Sequence, residues 1–323
     1  MASPIADLTY RNYEGPHEPA RLRWWAIAKT MMLIGFKRKG TWTISFLSAW
    51  YYFAIIFVLF IVGMMNAQLE TAGGRVDLNP YQQYLEGIVW KDQLLHGISY
   101  GQLPYLLIAL LIGAGTIAND TRANALQVYL SKPITKWDYL FGKWMGVFLP
   151  LLLLMAIPSL AFYFYGALTY HENGFISQDP WVFLKLLAIF PIMAAFHASL
   201  ILGFSSMFNS GRVAGTVYAG LYFITNFFTI LMGINISVMA NKGGTPAALT
   251  NLYYASIDGL SIGLTKAILG TKGSLPFGIP EPGHSSRMIE APPLFAVLIV
   301  VVGLSALMIG IAWRRIQAVE VVR

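Results

Sequence analysis

The 323-residue chain contains no cysteine. That removes a disulfide framework, a thiolate metal site and a cysteine nucleophile together. Charge is scarce as well: 11% of the residues are Asp, Glu, Lys or Arg, where soluble domains carry about 25%. No G-x-x-x-x-G-K-[ST] loop occurs. Gly142-Lys143 is followed by Trp144, and Gly270-Thr271-Lys272-Gly273 lacks the spacing, so ATP is not bound by that route. The histidines, His17, His96, His171, His197 and His284, form no H-x-x-x-H or H-E-x-x-H pair, and no G-x-S-x-G elbow is present. A metalloprotease helix and a serine-hydrolase elbow are therefore both missing. No catalytic, cofactor-binding or metal-binding residue is expected in this chain.

What remains is apolar surface. Hydrophobic residues make up 56% of the chain and the mean hydropathy is +0.59, so the bilayer is the solvent to reason with. About 20 apolar residues cross a hydrocarbon core. By that measure spans are expected at about 42–66, 93–117, 144–168, 182–208, 213–239 and 294–313. Pro150 and Pro158 mark kinks in the third. Residues 1–20, with Arg11 and several prolines but no apolar core, do not read as a cleavable signal peptide. Between Arg21 and Arg38, Trp24, Ile27, Ala28, Met31, Ile34 and Gly35 share one helical side, and Arg23, Lys29, Thr30 and Lys37 lie on another. Such a helix suits the membrane interface, so 1–40 is expected to be an N-terminus with an amphipathic interfacial helix. Residues 240–292 are punctuated by Gly243-Gly244, Pro246, Pro276, Pro280 and Pro282. The apolar stretch 252–269 inside them carries Asp258 and Lys266, which predicts a surface or re-entrant helix. The fold class is thus an all-α polytopic membrane protein, with a short tail at 314–323.

The net charge of +7 could suggest nucleic acid, but its distribution follows the membrane. Arg21, Arg23, Lys29, Lys37, Arg38, Lys39, Arg122, Lys132, Lys136, Lys143, Arg212, Arg314 and Arg315 all fall on one side of six spans. By the positive-inside rule that side is cytoplasmic, with both termini on it. No carboxylate is expected at mid-span, which argues against an ion-driven carrier. His96, Gln102, His197, Asn226 and Asn235 are polar groups in or near spans and candidates for a pathway. Hydrogen bonding between helices accounts for such groups as readily.

The most informative stretch is 118–143. Asp120 and Thr121 suit the first turn of a helix. Leu126, Val128, Tyr129 and Leu130 give it an apolar face, and Pro133 stops it. Thr135 then suits the cap of a second helix that runs through Trp137, Tyr139 and Leu140 into the third span. A helix–proline–helix elbow tied to two spans is built like a docking element.

The run Ile117-Ala118-Asn119-Asp120, then Leu126, Leu130-Ser131-Lys132-Pro133-Ile134-Thr135-Lys136 and Tyr139-Leu140-Phe141-Gly142-Lys143 resembles the permeases of type-2 ABC exporters. Asp120 stands where glutamate is usual there, and Asn124-Ala125 where glycine-threonine is common. The resemblance extends to the layout, a basic interfacial helix followed by six spans with a long section before the last. It implies a half-transporter in the plasma (inner) membrane, paired with a second copy or a paralogue. A separate cytoplasmic ATPase dimer would bind the ATP and Mg. The resemblance further implies coupling through Asp120, Arg122, Leu126, Pro133, Thr135, Lys136, Tyr139, Gly142 and Lys143. Arg122 and Lys136 would meet acidic rims on the ATPase, with Leu126 as a packing knob. Two other readings stay open, a secondary transporter or channel and a non-transporting anchor subunit of a membrane complex.

Overall fold

The computed structural model describes residues 22–71, 79–125, 134–240, 247–278 and 289–316. Among them the regular structure is helical, without strands. Six helical stretches are long and apolar enough to cross a membrane: Trp50–Thr71, Trp90–Arg122, Lys136–Thr169, Val182–Met207, Gly211–Ile236 and Leu294–Arg315. The protein is a multi-pass membrane protein.

The chain enters through α1 (Arg23–Lys37), α2 (Lys39–Ser48) and α3 (Trp50–Thr71). The first expected span, 42–66, is not one helix. It breaks at Ala49, whose N–H bonds the carbonyls of Phe46 and Leu47. The hydroxyl of Ser45 donates to the Thr41 carbonyl at 2.7 Å and that of Ser48 to the Ser45 carbonyl at 2.7 Å. These local bonds compete with the helical ladder where it gives way. The membrane-length helix starts only at Trp50 and is correspondingly displaced toward Thr71.

After the short α4 (Pro80–Gly87), the second crossing is assembled from α5 (Trp90–Tyr100), α6 (Gln102–Gly113) and α7 (Ala118–Arg122). Its first break precedes Pro104, which has no N–H to offer the Tyr100 carbonyl. The second break, at Ala114–Ile117, is closed by Ser205. Its Oγ accepts from the N–H groups of Ile117 (3.0 Å) and Ala118 (3.1 Å) and donates to the Ala114 carbonyl (2.9 Å). Backbone groups left open by an interrupted helix must find partners where water is excluded, and one side chain satisfies three of them.

The third crossing is one helix, α8 (Lys136–Thr169), and accommodates Pro150 and Pro158 internally. Then come α9 (Val182–Met207) and α10 (Gly211–Ala240). Helix α9 is the centre of the bundle, packing on α8, α10, α6 and, most extensively, α13 (Leu294–Arg315). Before α13 lie α11 (Ala247–Tyr253) and α12 (Ile257–Leu269).

The molecule has two ends. At the near end, the start of α8 lies beside the end of α13, where the rings of Trp137 and Trp313 are 4.7 Å apart, and α7 is tied to α8 through Asp120 and Lys143. At the far end, the start of α5 meets the turn after α8, and Trp90 Nε1 donates to the Asn173 carbonyl at 3.2 Å. Helix α12 climbs toward the far end from deep inside. Asp258 in its first turn meets Tyr222 and Asn226 of α10. Its last residue, Leu269, reaches Lys185 in the first turn of α9. Asn226 sits 15 residues into α10, about 22 Å along its axis, so α12 begins beside the middle of that helix.

Candidate functional site: the elbow between the second and third spans

Two ends of the elbow are held together by one carboxylate. Asp120 Oδ2 lies 2.8 Å from Lys143 Nζ and accepts from the Tyr139 hydroxyl at 2.8 Å. The Lys143 ammonium also stands 5.5 Å from the centre of the Tyr139 ring. Lys143 is 6% exposed and Tyr139 is fully buried. An ion pair in such surroundings must recover a desolvation cost, which it does only with good geometry and further hydrogen bonds. The tyrosine hydroxyl supplies one.

Helix α8 starts as the sequence led us to expect. Thr135 is its N-cap, accepting from the Asp138 N–H at 3.1 Å, while Asp138 Oδ2 accepts from the Thr135 N–H at 3.0 Å. This reciprocal capping box fixes the point at which the elbow turns into the third span. Lys136 bends toward the last span, with Nζ 4.5 Å from the centre of the Trp313 ring. That is a cation–π contact.

Gly142 has a steric role. A Cβ there would fall 2.7 Å from the Trp24 carbonyl oxygen and 2.9 Å from Ile27 Cβ, so only glycine lets α1 lie this close. Helix α1 thereby rests along the first turns of α8, immediately beside the Asp120–Lys143 pair. Arg122, by contrast, is exposed. Leu126 and Pro133 lie outside the described residues.

A family model described as "ABC-2 family transporter protein" matches residues 37–314. The chain belongs to that family. Compared directly with curated proteins, it matches none. It is an ABC transporter permease, the membrane component, in a family that generally works with an ATPase subunit.

Within this permease the named coupling residues divide into two sets. Asp120, Tyr139, Gly142 and Lys143 converge and face inward, so Tyr139 and Lys143 present little surface to a docking partner. Arg122, exposed, and Lys136, half-buried against Trp313, sit nearer the surface.

The pathway candidates do not converge. His96 Nε2 shares a 2.7 Å hydrogen bond with the Ser274 carbonyl at the far end. Gln102 is buried and donates to the Ile98 carbonyl of the preceding α5 at 3.3 Å. His197 Nδ1 meets the Tyr218 hydroxyl at 3.2 Å. Asn235 is exposed and donates to the Leu231 carbonyl. Asn226 is different: its Nδ2 donates to Asp258 Oδ2 at 2.9 Å, beside the Tyr222 hydroxyl at 2.5 Å.

Asp258 corrects one expectation. A carboxylate does reach the middle of the bundle, delivered by α12 rather than by a span. The only sequence signal was an acid in the first turn of a helix too short to cross. Ser205, which closes the break in the second span, carried no signal beyond being a hydroxyl in an apolar run. Among the described residues no three His, Asp or Glu side chains come together as a metal site requires.

Proposed function

We propose that the chain is the membrane half of an ATP-driven exporter in the plasma membrane, with the near end in the cytoplasm. A separate ATPase dimer, binding ATP and Mg, grips the elbow between the second and third spans. A second permease copy or a paralogue completes the transporter. The observation that carries the reading is the Asp120–Tyr139–Lys143 lock. It joins the last turn of the second span to the first turns of the third, so a force on the intervening loop moves both as a unit. Helix α1, seated against Gly142, moves with them. Arg122 stands exposed beside the loop, where an acidic surface on a motor subunit would meet it.

The test is affinity purification of the full-length permease from its native membrane, followed by mass spectrometry of its partners. A nucleotide-hydrolysing subunit should co-purify, and Leu126→Asp should release it. Solute flux through the permease alone in vesicles, independent of nucleotide, would overturn the proposal. Asp258 lends a specific observation to one rival, a proton-coupled carrier. That rival requires uptake driven by a pH gradient and abolished by Asp258→Asn.

A further inference from the structure

The near end contains a cavity of about 990 Å3 bounded by α1, the end of α6, α7 and the start of α10. Its volume is at the upper end of the range for sites that take a small organic ligand. The walls differ in kind. Arg38, Arg122, Lys143 and Arg212 supply four cations against one carboxylate, Asp120. Asp120 is already paired with Lys143, which leaves the three arginines in excess. Among the described residues, none of the three belongs to an ion pair. Arg38 Nη1 donates to the Leu111 carbonyl at 2.7 Å, which fixes its guanidinium at the cavity wall without neutralising it. The first turn of the 30-residue α10 opens on the same space through Gly211 and Arg212, adding the positive end of its backbone dipole.

Thr116, Asn119 and Ser210 add neutral polar groups, and one part of the wall is apolar, where Met31 and Ile34 of α1 and Leu110 and Ile112 of α6 line it. A free inorganic anion has no use for that surface, and a neutral apolar molecule has none for three arginines. We infer that this cavity binds an anionic amphiphile, a lipid of the near leaflet with its phosphate among Arg38, Arg122 and Arg212 and its acyl chain along Met31, Ile34, Leu110 and Ile112. Arginine suits the head because its planar fork matches phosphate oxygens in pairs. The site lies at headgroup level by construction, since the three arginines stand at helix ends and the apolar residues lie within helices. The inference concerns the permease by itself and holds whether or not the motor proposal does.

Delipidated full-length chain in neutral detergent, titrated with lysophosphatidylglycerol, lysophosphatidylcholine or inorganic phosphate and read by native mass spectrometry, tests it. The anionic lysolipid should bind at least roughly tenfold tighter than the zwitterionic one, as expected for more than one basic group at a membrane surface. Inorganic phosphate should be weaker still. Arg38→Gln, Arg122→Gln and Arg212→Gln should each weaken lysophosphatidylglycerol roughly fivefold, from about 1 kcal/mol per basic group. Lysophosphatidylcholine, whose choline cation offsets its phosphate, should lose less, and the melting temperatures of Arg122→Gln and Arg212→Gln should stay unchanged. Lys272→Gln, at the far end, should have no effect. In the wild type, raising salt should weaken only the anionic lysolipid. Equal binding of the two lysolipids, phosphate binding as tight as the lysolipid, or equal losses in Lys272→Gln and the arginine variants would each overturn the inference.

Discussion

At the scale of single residues, two carboxylates carry the polar organisation of the bundle, and each gives a measurable expectation. Lys143→Met strands Asp120 with the Tyr139 hydroxyl alone. Breaking a buried pair from one side costs about 3 kcal/mol or more, whereas Asp120→Asn combined with Lys143→Met leaves no uncompensated charge. The double variant should therefore melt closer to the wild type than the sum of the singles, with a coupling of about 1–3 kcal/mol in a double-mutant cycle. The second carboxylate, Asp258, accepts from the Tyr222 hydroxyl and the Asn226 amide. Asp258→Ala leaves both donors without this acceptor inside the bundle and should lower the melting temperature in detergent by the equivalent of about 1–3 kcal/mol. An unchanged melting temperature would show that the contact adds nothing to stability.

At the scale of elements, the expectations that rested on local chemistry fared differently from those that rested on hydropathy alone. Thr135 and Asp138 satisfy each other's backbone and side-chain groups three residues apart, and that pattern is written in the sequence. Thr135→Ala should lower stability by about 1 kcal/mol, the usual worth of such a cap, read as a downward shift in melting temperature. The break at Ala49 was invisible to a hydropathy window, because Thr41, Ser45 and Ser48 are tolerated in spans. Whether their hydroxyls reinforce or compete with the ladder depends on rotamers no composition records. Likewise Gly142 reads as a mere entry to the third span until α1 is seen against it. Gly142→Leu should push α1 off α8 and open the amide protons of α1 to hydrogen exchange. The depth of α12 was the hardest to read. Its contacts with α10 join residues more than 30 apart, and only the folded chain shows that Asp258 falls opposite Tyr222 and Asn226.

At the scale of the whole molecule, the absence of cysteine makes orientation easy to check. Single-cysteine variants at exposed Arg122 and Lys272 should react with a membrane-impermeant maleimide from opposite sides. In intact cells only Lys272→Cys should label; labelling of Arg122→Cys instead would reverse the proposed topology. The two ends also differ in how firmly they are tied. At the far end Lys91 Nζ holds the Gly270 carbonyl at 2.8 Å, Thr271 bonds Asp92, and Tyr84 and Tyr51 clasp the backbone of Phe277. Those ties stitch α3, α4 and α5 to the segment that follows α12. The third span runs between that stitched end and the elbow, and its prolines leave the carbonyls of Gly146 and Leu154 without their usual donors. Were the elbow pushed as proposed, a lever clamped at its tip would flex where its shaft is thinnest, and here that is the pair of missing rungs at Pro150 and Pro158.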